Sequence, residues 1–289
     1  MITVDDLAYV RIGTQDLDTQ IEFVQRIVGL ELMERTETTA HFRSDDRYQS
    51  VIFEQGEPRS LASAFQLRDQ AALDAAAEHL RSQGLEVTAG TAEDCALRHV
   101  RGMISFVSPG NNVVELVTGM TQVVSRPVRF TRPAGITEFG HLGLEVPDVE
   151  AGQRFWSDNF GFLISDWIGD RACLMRFDPV HHKLALFNEA TGLGHVNFQV
   201  GSFDDIMRSW NFLKKQGVKI QMGPGRHPQS TAIFLYFYGP EDVTWEYSFG
   251  VREIHGEWTP RRFDPTLPDF IDMWQGALTD GPTWSEDHA

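Results

Sequence analysis

The sequence predicts an α+β fold: two homologous domains, each of two β-α-β-β-β modules forming an open, cup-like mixed sheet. Three observations carry this. The chain matches itself at an offset of 131–133 residues, strand-like runs outnumber helical ones, and each helix candidate directly follows a strand. "AYVRIGTQDLDTQIEFVQRIVGLEL" (Ala8 to Leu32) lies over "GHLGLEVPDVEAGQRFWSDNFGFLI" (Gly140 to Ile164), pairing Asp16 with Asp148, Phe23 with Phe155 and Gly29 with Gly161. Further on, Gly84 and Gly217 each end a helix, and Glu115 lies opposite Glu246.

Each repeat is doubled again. Strands are expected at 6–12, 62–67, 139–146 and 194–200, in runs rich in β-branched and aromatic residues. Helices follow, starting near Asp16, Asp69, Asp148 and Asp204, where an acidic residue can cap the exposed backbone N–H groups. Strand-like runs such as "AIFLYFYGP" and "VTWEYSFG" complete each module. The expected boundaries are a first domain at 1–125, a linker at 126–134, a second domain at 135–252 and a tail at 253–289. The proline-rich tail reads as irregular, laid across a domain surface and anchored by Trp274, with its last ten residues frayed.

A chain of 289 residues with 42% hydrophobic content is large enough for two cores. Its net charge of -16 argues against nucleic acid and against anionic membranes, both of which need a basic face. The N-terminal "MITVDDLAYV" lacks the basic and apolar regions of a signal peptide, and no run of about eighteen apolar residues occurs. Cys95 and Cys173 are too few for a disulfide framework, so a reduced cytoplasmic setting is expected.

The histidines supply the chemistry. His141 and His195 open the first strands of the third and fourth modules, and Glu246 lies on the last strand of the fourth. Read alone, Glu246 alternates with Trp245 and Tyr247 on a polar strand face and meets water. Read with the histidines, it completes a 2-His-1-carboxylate set, which holds one side of a metal and suits non-haem Fe(II) and oxygen. The first domain has Tyr9 and Ala62 at the histidine positions, and only Glu115 matches. No metal is expected there, and Glu115 is expected to face solvent or be paired.

At these residues the sequence resembles the two-domain type I extradiol ring-cleaving dioxygenases of the vicinal oxygen chelate superfamily. The resemblance implies that His141, His195 and Glu246 bind Fe(II), with Mn(II) as the alternative, and that an aromatic diol is cleaved beside its hydroxyls with both atoms of O2. It further implies a place in aromatic catabolism and assembly as a homo-oligomer.

"HHKLALF" (His181 to Phe187) resembles the segment whose second histidine, here His182, faces the oxygen site and acts as proton donor. Alternation sends His181 and His182 to opposite faces, so one of them belongs to a polar loop. "GRH" (Gly225 to His227) and Tyr236 resemble two further active-site positions that steady the substrate oxygens. His227 also reads as a loop residue, and Tyr236, on one face with Phe234 and Tyr238, suits core or pocket wall alike. Many family members carry an acid three positions after the "GRH" histidine; here it is Ser230. The alternatives are a glyoxalase- or epimerase-like Lewis-acid enzyme, which typically draws four metal ligands, and a metal-free binding protein.

Overall fold

A computed structural model describes residues 1–274 of the chain. The four modules are present. Strand β1 (Asp6–Thr14) leads into α1 (Leu17–Phe23), a π-helical turn (Val24–Val28), then β2 (Glu31–Arg35), β3 (Thr39–Arg43) and β4 (Val51–Gln55). The second module runs β5 (Arg59–Gln66), α2 (Gln70–Ser82), β6 (Thr88–Ala89), a short helix α3 (Ala92–Leu97), β7 (Gly102–Val107) and β8 (Val113–Thr118). The third is β9 (Ile136–Val146), α4 (Val149–Phe160), β10 (Leu163–Ile168), β11 (Ala172–Arg176) and β12 (Leu184–Asn188). The fourth is β13 (Gly192–Val200), α5 (Phe203–Lys215), β14 (Ile220–Arg226), β15 (Ile233–Tyr238) and β16 (Thr244–Phe249).

The modules pair into two mixed sheets with matching strand order, β2-β3-β4-β1-β5-β8-β7-β6 and β14-β15-β16-β13-β9-β12-β11-β10. In each sheet the two module-opening strands lie antiparallel at the centre, β1 on β5 and β13 on β9. The last strand of a module returns parallel to an opening strand, as β16 does to β13 and β12 to β9. These pairings bring the middle of β9, β13 and β16 side by side.

Asp16, Asp69 and Asp148 cap their helices by accepting from the backbone N–H three residues on. The fourth helix differs from the expectation. Ser202 is its cap, and Asp204 sits in the first turn, because the chain enters the helix two residues earlier. Gly84 and Gly217 follow the ends of α2 and α5 with φ of 84° and 71°, a conformation that costs glycine little. The long helices α2, α4 and α5 each pack an apolar stripe on their sheet; α4 buries Val149, Phe155, Trp156 and Phe160.

The two domains share one apolar core. Trp156 of the second packs on Phe65 of the first, ring centroids 5.0 Å apart, and Trp245 meets Phe53 at 6.5 Å. Arg132, in the connecting segment, donates to Ile27 O at 2.9 Å and to the Tyr247 hydroxyl at 2.9 Å. Tyr247 in turn donates to Val28 O at 2.7 Å, so β16 is held from behind by the first domain.

The tail contradicts the expectation of irregular structure. Its residues Arg261–Phe263 form β17, which pairs parallel with β10 and extends the second sheet to nine strands. The anchor is Trp258, whose indole donates to Ser165 O at 2.6 Å, whereas Trp274 is 47% exposed. Arg261 clamps the buried Asp166 with its backbone N–H, Nε and Nη2 at 2.8, 3.1 and 2.6 Å. Burial would raise the Asp166 pKa, but the bonds from His181 and Arg261 hold it below the usual carboxylate value. A depressed carboxylate stabilises the fold above its unfolded pKa, and that stabilisation is lost as pH falls through the folded value. Asp166→Asn is therefore expected to speed tryptic cleavage at Arg261 and Arg262 at neutral pH. The wild-type tail should become comparably labile only below about pH 4, assayed with an acid protease. The frayed segment expected at the C-terminus lies outside the described residues.

Candidate metal centre

His141 on β9, His195 on β13 and Glu246 on β16 converge at the centre of the second sheet. His195 lies across from Gly143, and Glu246 across from Asn197 on one side and Tyr236 on the other. Trp245 and Tyr247, fully buried, point to the opposite face and lock β16 in register, so the Glu246 carboxylate must face the cup. Asn197 donates to the Ser248 hydroxyl at 2.8 Å, tying β13 to β16 beside the carboxylate. Glycine is required at position 143: a Cβ there would collide with the His195 imidazole. Gly143→Ala is expected to displace that ring and weaken metal binding by about 10–100-fold, the usual cost of disturbing a ligand's support. Competition with a chromogenic chelator measures it, with circular dichroism confirming an intact fold.

The His141 and His195 Nε2 atoms are 2.9 Å apart, and Glu246 Oε2 lies 3.0 and 3.5 Å from them. Two donor atoms held at about 2.1 Å from one ion, at right angles, would be ~3.0 Å apart. The triangle thus has the dimensions of one face of an octahedral shell. Three donor atoms this close need a positive charge among them. Glu246 Oε2 is buried and accepts no hydrogen bond among the described residues. Burial pushes the pKa of each histidine down to about 3, with Lys183 adding at His141 and Glu246 opposing at His195, so both rings are neutral and offer lone pairs. The same burial raises the Glu246 pKa above the usual carboxylate value, a shift that a nearby cation would oppose. The residues present therefore fit a divalent metal, and they are the set expected from the sequence.

A cavity of about 380 Å³ opens on the free side of the triangle, and His182, His227 and Tyr236 line it. The His182 ring lies 4.3 Å from that of His141. Its neighbour His181 lies with it in the loop between β11 and β12, where strand alternation does not apply, and is wholly buried, not the polar, solvated loop residue expected. His181 Nε2 faces Asp166 Oδ2 at 2.8 Å, and its Nδ1 meets His182 Nδ1 at 3.1 Å. A carboxylate accepts, so His181 donates from Nε2 and accepts at Nδ1, which leaves His182 protonated on Nδ1 with its Nε2 lone pair free. Burial, reinforced by the surrounding histidines, holds His182 well below its ordinary pKa.

The same reasoning fixes His227. Its Nδ1 faces Ile271 O at 2.7 Å, and only a protonated nitrogen bonds a carbonyl. Nε2 is therefore the acceptor and lies 3.2 Å from the Tyr236 hydroxyl. The acid missing at Ser230 is thus replaced by a tail carbonyl. Arg226 N–H donates to Asp272 at 2.9 Å and Gln229 to Phe270 O at 2.6 Å, which hold that part of the tail in place. A backbone acceptor contributed by an irregular segment leaves no mark in the sequence, and this partner was missed.

The first domain carries a filled counterpart. Glu115 is buried and paired: Arg11 Nη1 lies 2.5 Å from Oε1, Arg98 Nε 3.1 Å from both oxygens, and Tyr9 OH 2.7 Å from Oε2. Gln49, at the position of His182, contacts Arg98 O and His41 at 2.5 and 2.6 Å.

Residues 6–116 and 138–247 match the Glyoxalase/Bleomycin resistance protein/Dioxygenase superfamily, and the chain belongs to it. Among similar proteins, biphenyl-2,3-diol 1,2-dioxygenase of Paraburkholderia xenovorans (strain LB400) is 27% identical, over 91% of this chain and 93% of that one. The iron-dependent extradiol dioxygenase of Rhodococcus jostii (strain RHA1) is 27% identical over 90% and 94%. A halotolerant catechol dioxygenase superposes with a TM-score of 0.85 at 24% identity, covering 91% and 92%. The Mn(II)-bound glyoxalase from Novosphingobium aromaticivorans superposes at 0.84 with 25% identity, covering 95% and 91%.

Proposed function

We propose that this chain cleaves a catechol-type substrate beside its diol, using O2 and a mononuclear Fe(II) held by His141, His195 and Glu246; Mn(II) suits the same donors. The observation that carries the reading is the facial triangle of neutral nitrogen and carboxylate oxygen, open on the side where His182, His227 and Tyr236 line a cavity. The extradiol activity of the full-length relatives supports it. An ion held by His141, His195 and Glu246 would supply the redox chemistry that lets a diol react with O2.

The protein's own groups manage protons and position. His227 Nε2, an unprotonated acceptor, can take a proton from a diol hydroxyl, with the Tyr236 hydroxyl beside it to steady the anion formed. His182 is neutral at rest and unprotonated at Nε2. Any proton it later donates to a product oxygen must first come from the substrate or water. The overall reaction balances without an external reductant. The ring bond beside the diol and the O–O bond both break, and the ring supplies the electrons that reduce O2. One oxygen atom ends in the aldehyde and the other in the carboxylic acid of the ring-opened hydroxy-semialdehyde.

A Lewis-acid isomerase is the second reading, favoured by the likeness to the Mn(II)-bound glyoxalase. Among the described residues only three donors cluster, one fewer than such an enzyme typically draws. Anaerobic loading with Fe(II), then a catechol panel followed by O2 uptake and the yellow ring-opened product, decides. O2 uptake with a yellow product is expected. No turnover of any catechol by metal-replete protein, with turnover of a glutathione hemithioacetal, would instead support isomerase chemistry. We further place the enzyme in the cytoplasm, with free Cys95 and Cys173, as a homo-oligomer.

A further inference from the structure

The cavity has a second polar feature, at its outer end. Glu145 follows His141 and Gly143 on the same face of β9, four residues from the metal ligand. It is half-buried and lines the cavity together with the exposed Glu189. Among the described residues neither carboxylate has a hydrogen-bond or ion-pair partner. Burial and the proximity of Glu189 raise the Glu145 pKa.

Among the described residues, no lysine or arginine lines this cavity. Lys183, adjacent in sequence to His182, turns instead toward Glu138 and Asp178 at 3.5 and 3.8 Å. Residues 275–289 contain neither lysine nor arginine. The remaining polar lining, Gln221, Gln229, Ser230 and Thr244, is neutral, and the walls between are apolar, with Leu174, Phe187 and Met222.

Building on the ring-cleavage reading, we infer that Glu145, with Glu189, selects catechols whose substituent carries an ammonium or hydrogen-bond-donating group and rejects those bearing a carboxylate. A carboxylate arm would meet two carboxylates and no cation, and like charges brought together in a partly dehydrated site are strongly unfavourable. A purely apolar arm would strip water from Glu145 and give nothing back. A donor-bearing arm satisfies the carboxylate while the aromatic ring lies against the apolar wall.

The test uses a matched pair, dopamine and 3,4-dihydroxyphenylacetate, with unsubstituted catechol, on the Fe(II)-loaded full chain. Both kcat/KM in air and anaerobic affinity from the difference spectrum are measured. The amine should exceed the acid at least about tenfold in both. In Glu145→Gln, and more so with Glu189→Gln added, that ratio should shrink to within about threefold of unity. Metal content and melting temperature show whether each variant is folded and loaded. Equal or better binding of the acid by the wild type, or a ratio unmoved in the folded double variant, would overturn the inference. Because the binding arm needs no turnover, failure to cleave catechol while the amine-over-acid order holds would sink the ring-cleavage reading alone.

Discussion

His195→Ala is expected to purify with less than about a tenth of the iron bound by the wild type and to lose ring-cleaving activity in proportion. Disturbing a ligand's hydrogen-bond support alone costs about 10–100-fold in affinity, so removing one of three ligands should cost at least about a hundredfold. His141→Ala should match it. The position is buried and the imidazole neutral, so the sheet should tolerate the loss. Tyr9→Phe, at the position of His141 in the first domain, should retain full iron. Iron retained by His195→Ala at wild-type affinity, measured by elemental analysis after dialysis, would remove that residue from the site.

Glu115→Ala should do the opposite: keep the metal and lose stability. Its carboxylate neutralises Arg98 and shares Arg11 with Glu54, all of these groups being largely buried. Removing one member of a buried ion pair leaves an uncompensated charge, at about 3–5 kcal/mol. Urea unfolding should show the midpoint falling with an unchanged slope. In the metal-free protein, Glu246→Ala should cost far less, because no cation there depends on that carboxylate. The contrast separates two carboxylates that the repeat aligns: one faces two imidazoles, and the other is paired with two arginines. A Glu115→Ala protein that lost its iron while remaining folded would show that the two sites are not independent.

The repeat was legible because alignment of one half on the other needs no packing information, and it placed His141, His195 and Glu246 on separate strands. Adjacent central strands then bring them together by β-pairing alone. Helix starts were legible where an aspartate stands at the cap; at the fourth, Ser202 preceded the acids and took the role. The short α3 was missed, because its signal is only the Thr91–Asp94 capping box and it buries no residue of its own.

The tail resisted for a different reason. Arg261–Phe263 is a strand only because β10 presents an open edge beside the buried Asp166, a condition set far away in sequence. The Ile271 carbonyl and the role of Glu145 escaped in the same way. The first is backbone, which every residue has. The second is one glutamate among many, made distinctive only by a cavity whose described lining holds no lysine or arginine.

The most direct test of the metal centre and its chemistry is mass spectrometry of the catechol product formed by Fe(II)-loaded protein under isotopically labelled O2. A ring-opened hydroxy-semialdehyde containing label from both atoms of O2 is the result predicted, the label at the aldehyde being exchangeable with water. An unlabelled product, a dicarboxylic acid from cleavage between the hydroxyls, or an identical yield from His195→Ala would contradict it.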